Sequence, residues 1–141
     1  MKHVAVGIII DNWRVLVCQR KPTVPYPLKW EFPGGKLEHN ETVVQALLRE
    51  LREELSIEVT AHEAFFEQDW VYEEGVDDPV KDGTFRVSYF LIHSYRGTLA
   101  NLAFRQIEWV TPSQLLTMDI LDGNRRAIER LVSYIQGQNE A

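Results

Sequence analysis

A chain of 141 residues suits one compact domain and is short for two. With 45% hydrophobic and 11% aromatic residues it can bury a real core, which excludes global disorder. The formal charge of −6, from 15 basic and 21 acidic residues, argues against a stable nucleic-acid complex or a membrane-surface role, since both demand a basic face. A small phosphorylated substrate stays open, because local charge and metal ions decide that.

The N-terminal segment Val4–Ile10 reads as a buried strand. It is far too short to span a membrane, and no cleavage pattern of a signal peptide follows it. Asp11-Asn12-Trp13 is a turn and Arg14–Gln19 its hairpin return. Cys18, the only cysteine, excludes an internal disulfide and sits in an apolar run as a small buried hydrophobe. A soluble protein in a reducing cytoplasm is expected, as monomer or homodimer. Three prolines between Lys21 and Pro27 make a loop, and Lys29–Phe32 is a short strand ending at Pro33-Gly34-Gly35.

Glu41–Leu55 is the strongest helix pattern. Val43, Val44, Leu47, Leu48, Leu51 and Leu55 recur at three- and four-residue steps as one apolar stripe. Asn40 is its expected N-cap. Strand material returns over Ile57–Val71, broken or bent, before an acidic loop from Glu73 to Pro79. Thr84–Tyr95 and Ile107–Val110 are further strands. Thr111-Pro112 opens a short helix, and Asn124–Gln136 is a final amphipathic one. Strands with one helix early and one late imply an α/β/α sandwich with a mixed sheet, in a single domain over 1–141.

Chemistry concentrates on the strong helix. Glu50, Glu53 and Glu54 stand at i, i+3 and i+4 and so share a face, about 100° round from the apolar stripe. Such crowding costs a few tenths of a kcal/mol per exposed pair, which a helix selected for stability alone would avoid. Just upstream lies Trp30-Glu31-Phe32-Pro33-Gly34-Gly35-Lys36, whose paired glycines can turn a backbone carbonyl toward those acids. Carboxylates plus a carbonyl make an all-oxygen site suited to Mg²⁺ or Mn²⁺. Zinc is disfavoured, since His3, His39, His62 and His93 show no paired ligand spacing.

Gly35, Glu41 and the run Arg49-Glu50-Leu51-Arg52-Glu53-Glu54-Leu55-Ser56-Ile57 resemble the Nudix box, G-x₅-E-x₇-R-E-U-x-E-E-x-G-U, with U a bulky aliphatic residue. Eight of nine specified positions match over 23 residues. The exception is Ser56 in place of glycine, a change at the helix end that removes no ligand. The resemblance implies a Nudix-type sandwich, and it implies metal binding by Glu50, Glu53 and Glu54 with the carbonyl of Gly34 or Gly35. It further implies catalysis by Glu53, with Glu50, and a structural Glu41–Arg49 pair. Many relatives carry another acid before the strand equivalent to Ile107–Val110, where this chain has Leu102-Ala103-Phe104-Arg105-Gln106. Either the box glutamates suffice, or Glu73, Glu74, Asp77 or Asp78 replaces it.

Within the family, the order Arg20, then Trp30 to Lys36, resembles the MutT-type enzymes, which release pyrophosphate from 8-oxo-dGTP or related pyrimidine triphosphates such as CTP. Arg20, Glu31, Phe32, Lys36 and Asn124 are then the substrate-binding candidates. Arg20 is open to a second use, as a surface charge at the hairpin end. Asn124 is equally open to two: reading a base edge with its amide, or capping the last helix. Pro25 replaces a histidine found in the substrate loop of some relatives. Alternatives are hydrolysis of another nucleoside diphosphate derivative (ADP-ribose, a dinucleoside polyphosphate, an RNA 5′ end) or a nucleotide-sensing module without catalysis.

Overall fold

The architecture is built on one long strand. In the computed structural model, which describes residues 1–71 and 84–140, β1 (Lys2–Asp11) runs through the middle of the sheet. Its alternation sends Val6 and Ile8 to one face and Ala5 and Ile9 to the other, so β1 contributes to two cores at once. The strand turns into β2 (Arg14–Gln19) through Asn12 and Trp13, both at positive φ (51° and 62°). That pair of left-handed residues is the two-residue hairpin turn whose twist matches its strands.

Short strands β3 (Trp30–Glu31) and β4 (Gly34–Lys36) follow, pairing with β2 and β1 respectively. After helix α1 (Val43–Leu55) come β5 (Glu58–Val71), β6 (Thr84–Arg96) and β7 (Gln106–Val110). β6 lies parallel to β1 from Lys2↔Phe85 to Ile9↔Ile92, while the other strand pairs among the described residues are antiparallel, so the sheet is mixed as expected. Register shifts between Val59 and Phe66 account for the broken pattern expected of β5. The acidic loop with Glu73, Glu74, Asp77 and Asp78 lies outside the described residues.

α1 covers one sheet face, packing Ala46, Leu47, Leu51 and Leu55 on Ala5, Ile9, Leu16 and Ile92. Gly7 permits the close approach, since a Cβ there would come within 2.9 Å of the Leu51 side chain. Helix α3 (Arg125–Glu140) covers the other face with Ala127, Ile128, Leu131 and Ile135. Each fully buried leucine on α1 contributes about 1.5–3 kcal/mol. That outweighs the few tenths lost to each exposed pair of like charges, so packing holds the acidic face in place.

Two boundaries differ from the sequence expectation. α1 starts at Val43, not Glu41, and its N-cap is Thr42 rather than Asn40. Thr42 and Gln45 satisfy each other's backbone N–H groups as a capping box, while Asn40 takes a left-handed φ of 62° in the turn before it. α3 begins at Arg125, with Asn124 inside a 3₁₀ turn, Asp122–Asn124. Thr111 does cap the short α2 (Pro112–Leu115). Cys18 is buried, and desolvation pushes its thiol pKa up, which leaves it inert.

At its C-terminus α1 ends on Ser56, which adopts φ 61°, ψ 31° and donates its N–H to the Arg52 carbonyl. An L-residue pays for that left-handed geometry and glycine does not. Ser56→Gly should therefore raise unfolding stability by about 1 kcal/mol, read by urea denaturation. A destabilised variant would show that the serine side chain supports the helix end.

Candidate active site

Arg49 gathers Glu41, Glu50 and Glu53 from its place on α1. It donates from Nε and Nη2 to the two Glu41 oxygens (2.7 and 2.9 Å) and from Nη1 to Glu50 (2.9 Å) and Glu53 (3.2 Å). Nη2 also donates to the Lys36 carbonyl at 3.1 Å. One guanidinium thus ties β4 and the turn that follows it to the helix. Glu41 also accepts from the Glu38 backbone N–H at 2.9 Å. These bonds, Arg49 first, lower its pKa from 4.5 to about 2.

The three box acids stand in different surroundings. Glu53 is exposed, Glu50 partly buried, and Glu54 faces inward, accepting the Gly34 N–H at 2.9 Å. Burial raises the Glu50 pKa against the pull of Arg49. Burial and the charge of Glu50 push Glu54 up to about 8. Gly34 lies at φ 153°, and a Cβ on it would strike the Ala5 carbonyl. A Cβ on Gly35 would strike the Glu50 carboxylate. The paired glycines are needed because backbone and acids meet here without room for side chains.

Among the described residues no three acids, histidines or cysteines converge as a ready metal cage, with Glu50 and Glu53 both bonded to Arg49 and Glu54 to Gly34. The donor set nonetheless fits a hard divalent ion. Its atoms are all oxygen, and two of its carboxylates are held partly out of water beside each other, an arrangement that a cation would relieve.

On the other side of β3 and β4 lies an open cleft of about 170 Å³. Every expected substrate-binding residue lines it: Arg20, Glu31, Phe32, Lys36 and Asn124, with Gly34 and Gly35 at its edge. Arg20 is braced by Glu31 (3.1 Å) and by the Pro25 carbonyl (2.8 Å). Lys36 lies over the Phe85 ring, 5.4 Å from its centroid. Asn124 reaches the cleft because Trp30 clamps the segment ahead of it: Trp30 N–H donates to Asp119, and Leu121 N–H donates to Trp30, both at 2.9 Å.

A second recess joins Arg20, Glu31 and Gly34 to Glu54, Ala103 and Phe104. No carboxylate stands in that last loop. It docks by backbone instead, with Ala100 and Leu102 N–H groups donating to the Leu55 and Glu54 carbonyls at 2.9 Å. These bonds satisfy orphan carbonyls at the end of α1. Sequence reasoning missed Tyr26, Phe85, Val87, Tyr89 and Leu121 as cleft residues. In sequence, Phe85, Val87 and Tyr89 carry only the alternation of a buried strand.

The NUDIX domain model matches residues 1–131. This chain belongs to the Nudix family. It is 54% identical over 65 residues to the 8-oxo-dGTP diphosphatase of Proteus vulgaris, covering 41% of this chain and only 53% of that protein. Against the CTP pyrophosphohydrolase of Escherichia coli K12 the identity is 32% over 116 residues, covering 82% of this chain and 80% of the relative. A solved MutT structure, from work on Aliivibrio salmonicida and Vibrio cholerae, superposes with a TM-score of 0.76 at 26% identity. It covers 94% of this chain and 98% of that one. The chain is thus a pyrophosphohydrolase of the Nudix hydrolases, which in general need a divalent metal. No helix among the described residues is long and apolar enough to cross a membrane.

The Glu41 environment gives a pH test. Because its folded pKa lies below 4.5, the stability it contributes is full above that value and is lost as pH falls through 2. Glu41→Gln should lower the melting temperature at neutral pH and flatten the wild-type decline between pH 4.5 and 2. An unchanged acid limb in thermal melts would show that the pair does not brace the fold.

Proposed function

We propose that this Nudix hydrolase cleaves a nucleoside triphosphate to monophosphate and pyrophosphate, with Mg²⁺ as its cation and Mn²⁺ able to substitute. The observation that carries it is the shared position of β3 and β4. Their residues border both the carboxylate face of α1 and a base-sized cleft, so one substrate can lay phosphates at one and a base in the other.

In this reading Glu50, Glu53 and Glu54 hold the cation, with a carbonyl of Gly34 or Gly35. When bound, it offsets phosphate charge and makes a coordinated water more acidic. Glu53, the exposed acid, takes the proton of the attacking water and is neutralised by it, and the negative charge of Glu50 beside it favours that uptake. Lys36 and Arg20 counter negative charge along the phosphate path. Phe32 and Leu121 supply apolar contact for the base, and Asn124 reads its edge. The names of the relatives favour 8-oxo-dGTP or CTP as the first substrates to try. A cytoplasmic setting suits the reduced Cys18 and a free-nucleotide substrate.

The test is a screen of 8-oxo-dGTP, dGTP, CTP, ADP-ribose and a dinucleoside polyphosphate with and without Mg²⁺ or Mn²⁺. Pyrophosphate and nucleoside monophosphate should form from a triphosphate, and only with metal. Orthophosphate as the sole product, or turnover confined to the diphosphate derivatives, would overturn the proposal.

A further inference from the structure

The amide of Asn124 is not free to face the cleft either way round. Asn124 is 7% exposed, and its Oδ1 accepts the hydroxyl of Tyr89 at 2.7 Å. Tyr89 is itself fully packed at 1% exposure and reaches the same turn from β6 on the neighbouring strand array. The Gly123 carbonyl lies 3.2 Å from the same hydroxyl and also accepts from Nε2 of Gln68, a buried side chain on β5. Gln68 Nε2 stands 3.4 Å from the Tyr89 oxygen. Gln68 therefore presents its donor to Gly123 and Tyr89, and the Tyr89 proton is directed to its nearest acceptor, Asn124 Oδ1. Asn124 Nδ2 has no hydrogen-bond partner among the described residues, and Asn124 lines the cleft.

We propose that Tyr89 is a positioning residue for substrate selection: its hydroxyl fixes the Asn124 amide so that the donor, Nδ2, is offered to the base. A donor at this point rewards a carbonyl on the base edge and leaves an amino group facing it without an acceptor. The site is thereby set for bases with an exposed keto oxygen, such as 6-oxopurines, over 6-aminopurines. Tyr89 touches the selecting group and not the phosphates, so it sets specificity while the metal-bearing end sets turnover. The inference rests on the proposal that Asn124 contacts the base.

The test compares dITP with dATP, purines that differ at C6 and in the N1 proton that accompanies it. Wild type should prefer dITP. In Tyr89→Phe the kcat for dITP should stay near wild type while the dITP-to-dATP ratio of kcat/KM falls roughly three- to tenfold, the value of one neutral hydrogen bond. Asn124→Ala should narrow the ratio at least as far. If Asn124→Ala narrows it and a folded Tyr89→Phe does not, the orienting role of Tyr89 is wrong and base contact by Asn124 stands. If Asn124→Ala leaves the ranking unchanged, the base contact fails and this inference fails with it. Should Tyr89→Phe not fold, the wild type still decides: the Asn124 side-chain NH₂ resonance, assigned by its loss in Asn124→Ala, should shift with dIMP and less with dAMP. Equal shifts, or none, would overturn the proposal.

Discussion

Arg49 is the interaction on which the active face of this molecule depends. Glu50, Glu53 and Glu54 repel one another on a single helix face, and Arg49 is the cation bonded to two of them. The same guanidinium binds Glu41 and the Lys36 carbonyl, so it fixes the glycine strand β4 against the acids it helps to neutralise. A lysine could supply the charge, but not five donors in a planar fork. The cluster consequently keeps a defined shape, with Glu54 held separately by the Gly34 N–H.

The two ends of the site belong to opposite faces of one sheet. α1 brings the acids from the face built on Ala5, Ile9 and Leu16, and the Asn124 turn belongs to the face built on Val6, Ile8 and Tyr89. β3 and β4 run between them and contribute to both. The acids are constrained by close backbone contact at Gly34 and Gly35, whereas the cleft is lined by strand and turn side chains. The loop of Ala103 and Phe104 borders the acidic end and docks by its backbone, with the Arg105 N–H donating to the Gln19 carbonyl at 2.9 Å.

The acidic end was legible in the sequence because its signals are local. The stripe from Val43 to Leu55, the i, i+3, i+4 glutamates and the glycine pair all lie within a few turns of one another. Ser56 announced its left-handed geometry by standing where the pattern takes glycine. The N-cap was misread because Asn40 and Thr42 are both good caps, and only the partner Gln45 three residues after Thr42 decides between them. The base end was legible only in part. Arg20, Glu31, Phe32, Lys36 and Asn124 do meet in one cleft, but Tyr89 and Gln68 come from strands whose alternation describes burial alone. Their pairing with the Asn124 turn spans 35 residues and 55 residues of sequence, and no local pattern carries it.

The central claim is that the glutamates of α1 perform the hydrolysis, and Glu53→Gln addresses it directly. The substitution keeps shape at an exposed position and removes the charge. With saturating nucleotide and a titration of Mg²⁺, kcat should fall by about 10²–10⁴-fold while the melting temperature stays close to that of the wild type. A folded variant retaining more than roughly a tenth of wild-type turnover at saturating metal would contradict the assignment of Glu53 to the reacting centre.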